Sequence, residues 1–258
     1  MPSNASPAPA PTPAGGEQVE PVDHLAPPDD LRVEPDDLRV EPGVPHELAS
    51  SELLAGTRAA LHAVVELLMA GPQHRASGTI RLGVEPGAIQ TVAEPRLRLE
   101  ATCLSGHGGQ ASLLGSTTPM ALGAAVGVSA GAPVGVYPDT TGAELDEPLG
   151  VDADVATALL DWFAVGAAGL LLFAPQERAV LWPEHFDLAI TIDGVNYGIS
   201  PGDGTSSQPY AYVGPHSPVD DPFFDVPFGA LRTWSQVPDA ASIAAFFTQG
   251  RDRAASVR

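Results

Sequence analysis

The sequence predicts an α+β protein in which antiparallel β-hairpins form a sheet packed with three to four helices. Long apolar segments with helical spacing occur in the same chain as short segments that alternate apolar and polar residues. Neighbouring alternating segments are close in sequence, and Asp193-Gly194 between two of them is a strong signal for a two-residue hairpin. Hairpins joined in this way pair antiparallel, and their mixture with helices is typical of the α+β class.

Composition divides the chain of 258 residues into a tail and a folded domain. Residues 1–46 hold 11 of the 27 prolines, nine acidic residues, two arginines and no aromatic residue. Such a segment buries too little apolar surface to offset the entropy lost on ordering. We predict a disordered acidic tail over 1–46 and one globular domain over 47–258, with 47–174 and 175–258 as candidate subdomains.

Four helices are predicted in the globular domain. The first begins at a serine cap at position 50 or 51 and is expected to end near Ala70, because Gly71-Pro72 follows. The other three helices begin near Thr118, Asp152 and Asp239. The helix that begins near Asp152 is long and apolar, and it is the expected central core helix.

Five alternating segments are predicted as strands, at about 80–84, 97–103, 186–192, 195–199 and 210–214. Alternation in the second segment places Cys103, the single cysteine, in the core, so we interpret this thiol as a packing residue. Counting outward from the Asp193-Gly194 turn pairs Ile192 with Val195 and Ala189 with Gly198. Phe186, Leu188, Ile190, Tyr197 and Ile199 then share the core face.

The other face of this hairpin differs from an ordinary solvated surface. It has no arginine and no glutamate, and it is small at Ala189 and Gly198. A ligand or another backbone can lie flat across such small residues. The remaining positions of this face are polar: His185, Asp187, Thr191, Asn196 and Ser200. We predict a binding site here.

His185 and Asp187, two residues apart on one strand, are expected to point the same way. They can act as a general base and its orienting carboxylate, or bind a metal together with Glu184, Asp203 or His216. A structural hydrogen bond between the two side chains explains the same pattern. The three alternatives remain open at this point.

The segments that follow the hairpin supply further polar groups. Asp203 lies in the glycine-rich turn after Ser200, and Tyr210 and Tyr212 share one face of the next strand. Tyrosines so placed can line a pocket with their hydroxyl groups toward a ligand. With Asn196 and Ser200, these residues form the predicted binding set.

Two further motifs carry weaker signals. Gly127–Gly131 matches the G-x-S-x-G nucleophile elbow, but Pro133 blocks the helix that the elbow requires, so no catalytic serine is expected. Residues 29–35 are repeated unchanged as 36–42. This repeat is either a pair of docking motifs for a protein partner, over 29–42, or a duplication in a tolerant linker.

Net charge limits the partners. With 32 acidic and 12 basic residues the chain carries −20, which disfavours binding to nucleic acid or to an anionic membrane. The longest apolar run, 162–174, is shorter than the roughly 20 residues that span a bilayer, and no secretory signal pattern precedes it. We therefore expect a cytoplasmic protein without a nucleic-acid or membrane partner.

A string of short motifs in the second half resembles a mostly actinobacterial family of uncharacterised domains. The motifs lie at 182–187, 196–198, 200–203, 209–215 and 246–251. The resemblance covers roughly residues 75–255 and is strongest over 180–230. It implies kinship and no activity, ligand or cofactor.

Three hypotheses for function follow. The first is a non-catalytic domain that binds a small polar ligand or a partner at the polar face of the 185–200 hairpin. The second is a hydrolase-type enzyme with His185 as general base, oriented by Asp187. The third is an adaptor that docks partners through its tail. The sequence leaves open the cofactor, the metal dependence and whether the protein is an enzyme.

Overall fold

The structure is a computed structural model that describes residues 50–138 and 140–256. The tail over 1–46 and its repeat lie outside the described residues. Within them, ten strands form one antiparallel sheet in the order β10-β9-β8-β7-β6-β1-β2-β3-β4-β5. With its packed helices, this sheet confirms the predicted α+β class. The strands are β1 Leu82–Glu85, β2 Ala88–Thr91, β3 Arg98–Glu100, β4 Cys103–Gly106, β5 Gly109–Ser112, β6 Val180–Trp182, β7 Asp187–Ile192, β8 Val195–Ser200, β9 Tyr210–Pro215 and β10 Ala230–Thr233.

The first helical segment is longer than predicted. Helix α1 (Ser51–Val64) continues through a π-helical turn, Val65–Ala70, into α2 (Gly71–Ser77). The predicted end near residue 70 is therefore wrong. Pro72 has no N–H to donate and would crowd a carbonyl of the preceding turn, and the wider π turn before it accommodates the ring.

The remaining helices agree with the predictions in position. They are α3 (Pro119–Val126), α4 (Ala153–Phe173) and α5 (Ala240–Ser256). Asp152 caps α4 by accepting hydrogen bonds from the backbone N–H of Asp154 and Val155, at 3.1 and 3.0 Å. Helix α4 is the core helix, and the fully buried Trp162 donates from Nε1 to the Ser200 carbonyl at 2.9 Å. This bond attaches the core helix to the end of β8.

The hairpin of β7 and β8 has the predicted register. Ile192 pairs with Val195 and Ala189 with Gly198. Asp193 and Gly194 both have positive φ, 50° and 70°, as a type I′ turn requires. The side chains of the predicted core face are buried: Phe186, Leu188, Ile190, Tyr197 and Ile199.

One predicted strand proves to be two. The segment 97–103 is divided by a turn at 101–102 into β3 and the start of β4. Cys103 is half-buried at the first position of β4, so its predicted place in the core is wrong. The turn contains neither glycine nor proline, and uninterrupted alternation concealed it.

Candidate functional site

A pocket of about 800 Å³ lies between α1 and the polar side of strands β7 to β9. Helix α1, the segment 184–187, the loop 201–205 and the two strands β8 and β9 all contribute to its wall. The structure brings the predicted site residues together in this one pocket: Glu184, His185, Asp187, Asn196, Ser200, Asp203, Tyr210 and Tyr212. The local sequence pattern therefore predicted residues that line one pocket, and their role in binding stays a prediction.

Asp187 is the most buried acid of the pocket, with 8% of its surface exposed. Its Oδ2 accepts a hydrogen bond from the Tyr212 hydroxyl. Its Oδ1 is buried and has no hydrogen-bond partner among the residues that the structure describes. Burial raises the pKa of Asp187, and the bond from Tyr212, the nearby His185 and the contact with its own backbone N–H offset this only in part. A half-satisfied buried acid is rare and calls for an explanation beyond packing.

Tyr212 reaches Asp187 by lying across Gly198. Gly198 pairs directly with Tyr212 in the ladder of β8 and β9. A Cβ atom at position 198 would stand 2.3 Å from Cζ of the tyrosine ring. Gly198 is therefore covered by the protein's own Tyr212 ring, where the sequence predicted a ligand or a backbone.

A second tyrosine–aspartate pair lies beside the first. The Tyr210 hydroxyl donates to Asp203 Oδ2 at 2.6 Å, while Asp203 Oδ1 accepts from the backbone N–H of Thr205 and Ser206, at 2.7 and 3.2 Å. Burial and the bond to Asp203 raise the pKa of Tyr210. Both carboxylate oxygens of Asp203 have partners, so this acid organises the loop that follows β8.

Ser200 and Asn196 also have partners within the protein. The buried Ser200 accepts a bond at Oγ from the backbone N–H of Gly202, at 3.1 Å. Asn196 Oδ1 accepts from the Thr191 hydroxyl at 2.7 Å and lies 3.1 Å from Nε2 of His216. These residues shape the wall of the pocket.

Arg58 of α1 lines the pocket and was missed by the sequence reasoning. It is half-buried, and its Nη1 donates to the Ser207 carbonyl at 3.2 Å. No ion pair of the described chain includes it. Burial lowers the pKa of Arg58, and Asp203 and Tyr210 act in the opposite direction. This half-buried guanidinium thus makes no ion pair within the described residues, although the charge of Asp203 acts on it.

One face of α1 could have signalled this contribution. Ala55, Arg58, Ala59 and His62 follow the i, i+3, i+4, i+7 spacing that places residues on one side of a helix, and all four line the pocket. The pattern shows that these residues share a face. It does not show which distant segment that face covers.

His62 holds the segment before β7 in place. Its Nε2 lies 2.6 Å from the Pro183 carbonyl, and its ring stacks on Phe186 with centroids 5.3 Å apart. A carbonyl only accepts, so Nε2 carries the proton. Burial lowers the pKa of His62, which favours the neutral ring. The contact positions Asp187, the next residue after Phe186.

His185 is not oriented by Asp187. Its side chain is 71% exposed, and its Nε2 lies 4.0 Å from Glu184 Oε2. Phe186 has a positive φ of 51°, which interrupts the alternation, so β7 begins only at Asp187. The Asp187 carboxylate bonds to Tyr212 instead, and the expected hydrogen bond between His185 and Asp187 is absent from the described structure. A catalytic role for His185 stays a prediction.

Two other sequence hypotheses find no geometric support. Within 50–138 and 140–256 no group of three or more His, Cys, Asp or Glu side chains could hold a metal ion, so Glu184, His185 and Asp187 form no such cluster. The elbow motif follows helix α3 rather than a strand. The Ser129 carbonyl accepts a bond from Arg75, which attaches this loop to α2.

Two helical segments reach the length and apolar composition of a membrane span, Ser51–Ser77 and Ala153–Phe173. In each, about two thirds or more of the most apolar stretch is buried inside the domain, at 67% and 72%. The core helix of a protein that never enters a membrane passes the same test, so these helices are weak indications.

Comparison of the chain with protein-family models, curated proteins and solved structures finds no match. The resemblance carried by the motifs of 182–215 therefore stays a prediction. Function has to be argued from the geometry of the pocket.

Proposed function

We propose that this protein binds a small polar molecule in the pocket between α1 and strands β7 to β9. One observation carries the proposal: Asp187 and Arg58 both line the pocket, a carboxylate oxygen of Asp187 is buried without a hydrogen-bond partner, and the Arg58 guanidinium makes no ion pair in the described chain. Charged groups taken from water without partners destabilise a fold, and a bound ligand would supply those partners. The volume lies within the roughly 300–1,000 Å³ of small-molecule pockets.

The proposal is tested by thermal unfolding in the presence of amino acids, sugars, nucleotides and divalent metals, followed by calorimetric titration of each compound that stabilises. A ligand at about 100 times its Kd stabilises by about 2.7 kcal/mol. For a domain of this size, that stabilisation raises the Tm by roughly 5–10 °C.

Three variants locate the site of binding. Asp187→Asn and Arg58→Gln are expected to remove the shift, because each deletes a charge that faces the pocket. Asp252→Asn is the matched control, since Asp252 is exposed on α5 and does not line the pocket. A shift that persists in both pocket variants, or no shift with any compound, contradicts the proposal.

The two other functional hypotheses stay predictions. Acid–base catalysis through His185 lacks the orienting bond that the hypothesis assumed. Docking through residues 29–42 concerns a segment outside the described residues.

A further inference from the structure

We propose that the ligand is a small zwitterion whose ammonium group binds at the Asp187–Tyr212 pair and whose carboxylate binds Arg58. The inference rests on the proposed function and narrows it to a chemical class. A free amino acid, an ω-amino acid and a short peptide share this chemistry, and they differ in the distance between the two charges.

The acids of the pocket differ in whether a carboxylate oxygen remains without a hydrogen-bond donor. Asp203 uses both carboxylate oxygens for hydrogen bonds within its own loop. Glu184 also lines the pocket, but its side chain is 32% exposed and its Oε2 lies 4.0 Å from Nε2 of the exposed His185. Asp187 alone combines burial with an unused oxygen. An ammonium group has three donors and no acceptor, so it matches a carboxylate that already accepts one hydroxyl and lacks a second donor.

The aromatic rings beside Asp187 favour a positive charge as well. Tyr212 contacts Tyr210 and Phe228 edge-on, with ring centroids 6.2 and 6.1 Å apart, and all three rings line the pocket. The face of an aromatic ring attracts a cation electrostatically.

Arg58 indicates that the ligand carries an anionic group in addition to its ammonium group. Its guanidinium has five N–H donors, and one bond to Ser207 is the only one it makes in the described chain. A Cβ at Gly202 would stand 2.6 Å from Nη1, so the absence of a side chain at position 202 makes room for the arginine. A planar guanidinium binds a carboxylate through two parallel hydrogen bonds.

The two charges occupy different parts of the pocket. Asp187 lies on β7 under Tyr212, whereas Arg58 reaches from α1 to the loop that contains Gly202 and Ser207. A ligand that satisfies both therefore carries opposite charges at separate positions. This arrangement distinguishes a zwitterion from a neutral sugar or a diamine.

The test is calorimetric titration with the twenty free amino acids, 4-aminobutanoate and glycylglycine. Each compound that binds is then measured as its N-acetyl derivative, which lacks the ammonium group, and as its carboxamide, which lacks the carboxylate. We expect each derivative to bind about 10–100-fold more weakly, because each loses a charged hydrogen-bonded pair.

Paired variants assign each end of the ligand. In Asp187→Asn the free compound is expected to bind as weakly as its N-acetyl derivative, and in Arg58→Gln as weakly as its carboxamide. Asp187→Ser, which also deletes the carboxylate, replaces the first variant if the asparagine protein does not fold. Arg58→Lys, which keeps the charge, is expected to retain more of the affinity for the free compound than Arg58→Gln does.

The outcomes separate this inference from the proposed function. Binding of a neutral sugar, or equal binding of the N-acetyl derivative and the free compound, overturns the zwitterion and leaves a small-molecule pocket in place. Zwitterion binding that neither pocket variant weakens overturns both. A panel in which no compound of any class binds also overturns both.

Discussion

The pocket contains two tyrosine–aspartate pairs that differ in hydrogen bonding. In one pair both carboxylate oxygens have hydrogen-bond donors, and in the other pair one oxygen has none among the described residues. Tyr210 and Asp203 belong to one loop and strand, and the carboxylate gains two backbone donors besides the tyrosine. Tyr212 and Asp187 come from different strands, and the more buried carboxylate keeps one oxygen without a donor. A buried carboxylate oxygen without a hydrogen-bond donor lowers the stability of the fold. We therefore expect the second pair to be kept for ligand binding at the expense of stability.

The difference teaches how a structural acid can be told from a functional one. Local hydrogen bonds from neighbouring N–H groups satisfy an acid that organises a turn. An acid held by a single distant hydroxyl keeps capacity for a partner outside the chain. The following predictions test whether the two pairs differ in this way.

The largest effect is expected from Gly198→Ala. The new Cβ would meet the Tyr212 ring, and the ring has to leave both Gly198 and Asp187. We expect a loss of about 3 kcal/mol in the free energy of unfolding, measured with urea, because overpacking adds to the lost hydrogen bond. Gly204→Ala is the control, because no atom lies within 4 Å of a Cβ there. Equal stability of the two variants would show that Tyr212 is not held over Gly198.

Removal of the Tyr212 or the Tyr210 hydroxyl group is expected to lower the stability by less than Gly198→Ala does. Tyr212→Phe leaves Asp187 without any donor, whereas Tyr210→Phe leaves Asp203 with its backbone donors. We expect losses of about 2 and about 1 kcal/mol in urea unfolding. Equal losses, or a larger loss for Tyr210→Phe, would remove the distinction between the pairs.

The smallest effect is expected from Asp187→Asn, and its size depends on pH. Asparagine can still accept from Tyr212 but carries no charge to bury. Because burial raises the pKa of Asp187, the neutral acid stabilises the fold at low pH, and this contribution is lost as the pH rises through the raised pKa. We expect the variant to gain stability relative to the wild type between pH 4.5 and 8, by on the order of 1 kcal/mol.

Urea unfolding of both proteins at several pH values measures this difference. Three titratable groups act on Asp187: Tyr212 and His185 favour its ionised form, and Glu184 opposes it. Repeating the comparison in a His185→Gln background removes the influence of the histidine on Asp187. A difference that shrinks with rising pH would contradict a raised pKa.

Much of the site could be predicted because it lies on consecutive strands. The turn at Asp193-Gly194 set the register by counting, and alternation then separated the core face from the polar face. The exceptions are local departures from alternation. The positive φ of Phe186 moved His185 off the strand, and the turn at 101–102 divided one predicted strand in two.

The sequence by itself determined the register of the central hairpin and which of its faces is polar, because both depend on residues only a few positions apart. Tertiary structure alone decided that Tyr212 covers Gly198 and holds Asp187, and that Arg58 reaches Ser207, 149 positions further along the chain. Contacts at such separations depend on how helix and sheet pack, and packing responds to the shape of the whole core rather than to any local period.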